Sequence, residues 1–229
     1  MNLVFGLAHL RAYAGLYPSR FERAYELAPQ LLDASNVKHI VSPIAQEDEG
    51  LELAYTVDPP REDLPTYYVY ENIDRLDRFR FVSSHIIKSD IDGIEKVIKT
   101  GDFPFNESVI LEEEPGETFE PFSEAEVVVE EESNQRLELR TKTDQKAILV
   151  VADSFYPAWQ ATINGEGAEI LPANINQRAV IVPAGENTIL FTYYPKQFIK
   201  GLKVSGASLT VFVILAVLRP ERRFRKPKD

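Results

Sequence analysis

The pattern of hydrophobic and polar residues predicts a group of β-strands between residues 147 and 194. Residues 147–152 form an unbroken apolar run, long enough for a strand covered on both faces but too short for a typical helix. Residues 159–163 then alternate apolar and polar side chains, with the period of two that is typical of a half-buried strand. Asn164-Gly165 tolerates the positive φ angles of a tight turn and predicts a hairpin. Two further strand-like segments, residues 178–182 and 188–194, complete the predicted centre of an antiparallel sandwich.

Short strands also precede this centre. Those predicted at residues 108–111, 126–130 and 136–142 are separated by turn residues, which is typical of a β-sandwich or jelly roll. Before residue 103 the pattern mixes strands with helices, including a short helix at residues 91–100 with Asp90 as its N-cap. The predicted fold class is mainly β: an antiparallel, jelly-roll-like β-sandwich with a small α/β N-terminal subdomain and a C-terminal transmembrane helix. The predicted domains are residues 1–102 for the α/β subdomain, 103–197 for the sandwich, 198–218 for the transmembrane helix and 219–229 for a basic cytoplasmic tail.

The segment from Leu202 to Leu218 is apolar enough to be a membrane anchor. Lys203 is its only charged residue, and its length lies at the short end of the range that spans a bilayer. The predicted anchor residues are Leu202, Val211, Phe212 and Leu218, so the lipid bilayer is a predicted partner. A buried helix in a soluble core is the alternative, and the basic segment that follows disfavours it.

The basic segment predicts the orientation of the chain in the membrane. Residues 219–229 carry six Lys or Arg against two acidic residues, in a chain whose net charge is −11. By the positive-inside rule this tail is predicted to be cytoplasmic and the acidic body extracytoplasmic. The residues that determine this topology are Arg219, Arg222, Arg223, Arg225 and Lys226. Residues 1–10 do not form a signal peptide, so export is expected to need upstream membrane helices or a companion polytopic membrane protein.

Composition and motifs exclude several kinds of site. The net charge of −11 argues against nucleic acid as a partner, because phosphates need basic patches. The absence of cysteine excludes disulfides and thiolate metal sites. His39 and His85 have no partner at a metal-ligand spacing, and the acidic runs at residues 112–114 and 130–132 lack the alternation of a calcium loop. Since no catalytic or phosphate-binding motif is present, no catalytic residue, metal or cofactor is predicted.

Four motifs resemble a known family. They are Asp153-Ser-Phe-Tyr-Pro-Ala-Trp, Asn164-Gly165, Val182-Pro-Ala-Gly-Glu and Phe191-Thr-Tyr-Tyr-Pro, and they resemble the C-terminal soluble domain of bacterial YfhO-type membrane proteins. The resemblance implies an extracytoplasmic β-domain followed by a helix, in large polytopic proteins similar to lipid-carrier-dependent glycosyltransferases. Catalytic carboxylates would then lie on the family's other helices, and this chain alone would be a non-catalytic accessory domain in cell-envelope glycosylation. His39 and Asp77 depart from the family pattern, which usually has an aromatic residue and a proline there.

The candidate ligand-binding residues are Asp153, Tyr156 and Trp159. Aromatic rings can cover the apolar face of a pyranose, and a carboxylate can accept hydrogen bonds from its hydroxyls, so the predicted ligand is a glycan or lipid-linked sugar. The alternative is structural, with Trp159 filling the core and Asp153 capping a turn. In that case the chain is a membrane-anchored protein-interaction module without a sugar site. Exposure of Tyr156 and Trp159 together in one groove would favour the first interpretation.

Overall fold

The computed structural model describes residues 19–58, 61 and 63–218, and most of its regular structure is β-strand. The helices are α1 Ser19–Glu26, α2 Ala28–Leu31, α3 Ile91–Ile98 and α4 Lys196–Val217. The strands are β1 His39–Ser42, β2 Leu51–Val57, β3 Tyr67–Asn72, β4 Phe79–Val82, β5 Ser84–Ile87, β6 Ser108–Leu111, β7 Ala125–Glu132, β8 Arg136–Thr143, β9 Ala147–Val151, β10 Trp159–Ile163, β11 Glu166–Ala168, β12 Leu171–Ala173, β13 Gln177–Val182 and β14 Gly185–Tyr193. The predicted mainly β fold class is confirmed.

Two sheets form a sandwich around the main hydrophobic core. One sheet has the strand order β11-β10-β14-β8-β7, and the other has the order β4-β9-β13-β12-β6-β5. In the core between them, Leu149 and Val151 of β9 pack with Leu139, Ile189 and Phe191 of the five-stranded sheet. Every residue of β9 is buried, because both faces of its sheet are covered. This two-sided burial explains why the strand is apolar at every position.

The six-stranded sheet curls, and its faces bury different side chains. On the face opposite the main core, Ile148 and Val150 pack with Val109 and Leu111 of β6. Ile110 lies between those two residues and points the other way, towards the helical cluster that includes Ile94. The helices α2 and α3 therefore cover the outer face of β6, which explains why all its residues are buried.

Two local predictions are confirmed by backbone and cap geometry. Asn164 and Gly165 have φ angles of 53° and 86°, and they connect β10 to β11 as an antiparallel hairpin. The helix α3 begins after Asp90, whose Oδ1 accepts a hydrogen bond of 2.7 Å from the backbone amide of Gly93. Both features depend on residues close together in sequence, which is why the sequence pattern predicts them.

Strands from before residue 103 also belong to the sandwich. β4 pairs with β9 in antiparallel orientation, and β5 pairs with β6 in parallel orientation. The boundary predicted at residue 102 thus runs between strands of one sheet. The strands β1, β3 and β2 form a separate three-stranded sheet. Asn72 at the end of β3 donates a 2.7 Å hydrogen bond to Asp33, which connects this sheet to the segment that follows α2.

The helix α4 is long and apolar enough to cross a membrane. It contains 22 residues, which at about 1.5 Å per residue give a length of about 33 Å, against about 30 Å for the bilayer core. None of its residues is buried against the rest of the described chain, so it is not a core helix in this structure. The predicted anchor residues Leu202, Val211, Phe212 and Leu218 are all exposed. The predicted topology residues Arg219, Arg222, Arg223, Arg225 and Lys226 lie outside the described residues.

Candidate functional site

A groove opens at a free edge of the five-stranded sheet. The hairpin strand β11 pairs with β10 only at residues 161–163, so Trp159 and Gln160 have a neighbouring strand on one side, β14. The groove beside this edge has a volume of about 510 Å³, within the range of about 300–1,000 Å³ that is typical of ligand pockets. Its lining includes Tyr156, Trp159, Gln160, Thr162, Ile170 and Thr192.

An aromatic cluster forms one end of the groove. The ring of Trp159 meets the ring of Tyr193 edge to face, with a centroid separation of 5.4 Å. Tyr156 stacks on the same Tyr193 at 6.2 Å, and 45% of Tyr156 is exposed. Two backbone hydrogen bonds hold the loop before β10 in place. The amide of Trp159 donates to the carbonyl of Tyr156, and the amide of Tyr194 donates to the carbonyl of Ala158. Tyr156 and half-buried Trp159 therefore share the groove, and the Tyr193 ring contacts both of their rings.

Asp153 lies apart from the groove and holds two arginines. Its Oδ1 accepts from Nε of Arg78 at 2.8 Å, and its Oδ2 accepts from Nη2 of Arg78 at 3.0 Å and from Nη2 of Arg178 at 2.6 Å. Arg78 also donates to Glu132 at 3.0 Å. Burial opposes the charged form of Arg78, but its hydrogen bonds to these two carboxylates and their negative charge outweigh burial and raise the pKa of Arg78. Asp153 thus pairs with two arginines, is not among the described residues that line the groove, and accepts no hydrogen bond from the described turn that follows it.

Arg178 supports the inner side of Trp159. It is only 2% exposed, and its guanidinium carbon lies 4.3 Å from the centroid of the Trp159 ring and 5.2 Å from that of Phe191. Burial lowers the pKa of Arg178, and the negative charge of Asp153 acts in the opposite direction. Its Nε and Nη1 have no hydrogen-bond partner within the described part of the chain. The aromatic faces therefore replace part of the hydration that this buried cation loses.

The sequence motifs do not identify Arg178 and Tyr193 as site residues, although the strand period contains a signal for both. Arg178 alternates with Val180 and Val182 on β13, so the period of two places it on the core face. Tyr193 lies directly opposite Trp159 in the pairing of β14 with β10. Strand pairing is a long-range property, however, so the sequence period does not reveal which residues these two side chains contact.

The remaining candidate side chains have structural partners or lie on the surface. His85 Nε2 lies 3.2 Å from Oε1 of Glu114, so this histidine has the acidic partner that sequence spacing did not reveal, while His39 is exposed on β1. In the acidic run, Glu112 accepts a hydrogen bond of 2.8 Å from Arg20. Within the described ranges, no group of three or more His, Asp or Glu side chains could hold a metal ion.

A scan of protein-family models finds none that matches this chain, and searches of curated proteins and of solved structures find no significant match either. The resemblance to YfhO-type proteins therefore rests on the four sequence motifs alone and stays a prediction.

Proposed function

We propose that this chain is a membrane-anchored, extracytoplasmic accessory domain that holds a glycan, or the sugar of a lipid-linked acceptor, beside the bilayer. In this proposal it catalyses no reaction alone and works with the membrane helices of a YfhO-type polytopic protein. The observation that carries the proposal is the shared groove of Tyr156 and Trp159, which ends close to the start of α4.

The position of the groove along the chain supports a location near the membrane surface. β14 ends at Tyr193, which contacts both groove aromatics, and α4 begins at Lys196. Only two residues separate them, so a bilayer crossed by α4 would lie next to the aromatic end of the groove. Tyr and Trp are enriched at this headgroup level, because their rings combine an apolar body with a polar group. A ligand attached to a membrane lipid could then reach the groove.

The chemistry of the groove suits binding. Aromatic rings provide flat apolar surfaces for a pyranose, while Gln160 and Thr192 provide hydrogen-bonding groups on neighbouring strands. The candidate carboxylate Asp153 is already bound to Arg78 and Arg178. Glycoside hydrolysis requires two carboxyl groups that flank the scissile bond, and the described groove lining contains no carboxyl group.

A second candidate function is protein docking through the three-stranded sheet. One face of this sheet exposes Val41, Tyr55 and Val57 around the buried Val69. Such an apolar face is typical of interaction surfaces. It favours the alternative in which the chain is a membrane-anchored interaction module, with its own membrane helices or an envelope protein as partner.

The sugar-binding proposal can be tested with the chain's single tryptophan, which lines the groove. The full chain in lipid nanodiscs is titrated with a panel of soluble oligosaccharides while Trp159 emission is recorded. We expect a saturable emission change, and Tyr156→Ala should weaken binding about tenfold by removing a ring contact of about 1.4 kcal/mol. Tyr55→Ala is the matched control, because it removes an exposed tyrosine on another sheet. Absence of a saturable change with every glycan would contradict sugar binding and leave protein docking as the function to test.

The proposed orientation can be tested separately, because the natural chain contains no cysteine. Single substitutions Glu47→Cys and Lys228→Cys are treated in intact cells with a membrane-impermeant maleimide. We expect labelling at position 47 in intact cells and at position 228 only after permeabilisation. The reverse pattern would rule out an extracytoplasmic body.

A further inference from the structure

We infer that the groove selects neutral sugars and rejects anionic glycans, an inference that rests on the proposed sugar-binding function. Every described residue that lines the groove has an uncharged side chain. The chain has 25 basic and 36 acidic residues, which together are 27% of its sequence, yet none of the described lining residues is among them. The lining combines rings, such as Trp159, with amide and hydroxyl groups from Gln160, Thr162 and Thr192.

The polar groups of the lining are available to a ligand. The side chains of Gln160, Thr162 and Thr192 make no hydrogen bond within the described part of the chain. Gln160 lies directly opposite Thr192 in the pairing of β10 with β14, and Thr162 is two residues further along β10. The three therefore form one polar patch on the face of the sheet opposite to Trp159, Ala161 and Phe191, which pack on the core side, and the groove spans the free edge between the two faces. Each can both donate and accept, which matches the hydroxyls and acetamido groups of a neutral sugar.

An anionic ligand would lose hydration in this groove without gaining a cation. Burying an unpaired charge is costly, and uncharged hydrogen-bond donors compensate for it only in part. Two guanidinium groups lie against rings that line the groove, and both are already paired. That of Arg178 is covered by the Trp159 ring and bound to Asp153, and that of Arg20 lies 5.3 Å from the Phe155 ring centroid and is bound to Glu112. In addition, Glu166 and Glu169 are exposed next to lining residues of β11 and the following loop. Their charges repel carboxylates and phosphates that approach from solvent.

The ligand test compares an acidic oligosaccharide with its neutral methyl ester and with other neutral oligosaccharides. The full chain in zwitterionic nanodiscs is titrated with tetragalacturonate and its methyl ester, and with neutral hexose and N-acetylhexosamine tetramers, while Trp159 emission is followed. We expect saturable binding of neutral members and at least tenfold weaker binding of the free acid. Equal or tighter binding of the acid would overturn the charge selection but retain sugar binding. If no member binds, sugar binding fails and the inference fails with it.

A variant tests whether the lining itself causes the rejection. Gln160→Lys places a cation inside the groove and should strengthen binding of the free acid about tenfold. Thr188→Lys is the matched control, since it adds the same charge to an exposed position on β14 outside the lining. If Thr188→Lys strengthens acid binding as much as Gln160→Lys does, the rejection comes from the overall charge of the chain and the inference about the lining is wrong.

Discussion

Replacing Asp153 by asparagine tests whether its carboxylate stabilises the arginine cluster behind the groove. Asp153 accepts hydrogen bonds from Arg78 and from the buried Arg178. Asparagine has nearly the same shape but carries no charge, and only one of its two terminal atoms can accept. The variant therefore leaves the Arg178 cation buried without a counter-charge, while the packing of Trp159 over it is retained.

The expected loss follows from the burial of the two partners. Removing one partner of a buried ion pair costs about 3–5 kcal/mol, because the other charge stays uncompensated. Arg178 is 2% exposed, but the side chain of Asp153 is 23% exposed, so water can reach part of the site. The remaining asparagine oxygen also keeps one hydrogen bond. We therefore expect Asp153→Asn to lower the free energy of unfolding by about 2–3 kcal/mol.

Urea unfolding of the full chain in detergent micelles measures this loss, with Trp159 emission and far-UV circular dichroism as independent readings. Glu132→Gln is the matched control: it removes the other carboxylate bound to Arg78, but that side chain is 46% exposed. We expect the control to cost less than about 1 kcal/mol. The double variant Asp153→Asn/Arg178→Met should recover most of the loss, because the uncompensated cation is gone. A loss below about 1 kcal/mol for Asp153→Asn would refute the reasoning.

Three further predictions concern the hairpin, the membrane helix and acid stability. Gly165→Ala should cost about 1 kcal/mol in urea unfolding, because Gly165 has a φ of 86°, whereas Gly167→Ala, in open space without a positive φ, should be nearly neutral. Phe212→Arg should shift the chain towards the alkali-extractable fraction of cell membranes, since arginine at a helix centre costs about 2.5–3.5 kcal/mol. The Ser123 hydroxyl and the Glu124 amide lower the pKa of Asp144, so the stability linked to it is present above about pH 4 and is lost as the pH falls through the lower folded-state pKa. Asp144→Asn should therefore reduce the change of the urea unfolding midpoint with pH in that range. An unchanged pH dependence of the midpoint would contradict this.

Features set by neighbouring residues could be predicted from the sequence. The apolar run of β9, the hairpin at Asn164-Gly165 and the cap at Asp90 each depend on a few consecutive residues. The groove is partly of this kind, because Tyr156 and Trp159 lie three residues apart on one loop and strand. Their sequence spacing was enough to identify them as candidates for the same site.

Features that join distant segments could not be predicted in this way. The pairing of β4 with β9 joins residues about 70 positions apart, and no local pattern selects the partner of a strand edge. The same limit applies to Asp153, whose two partners are Arg78, 75 residues before it, and Arg178, 25 residues after it. An acidic residue after a buried strand is compatible with a turn cap, a ligand contact or an ion pair, and only the tertiary structure distinguishes among them.

Trp159 shows why the structural and binding interpretations of the aromatic motif are compatible. One face of its ring packs on the guanidinium of Arg178 at the end of the core, and the same side chain lines the groove. Since Arg178 is fixed by Asp153 and Tyr193 contacts the indole ring, Trp159 is held in position without any ligand. A ring that is already ordered loses little conformational entropy on binding. The contacts that make Trp159 part of the core would therefore also favour its use as a sugar-binding surface.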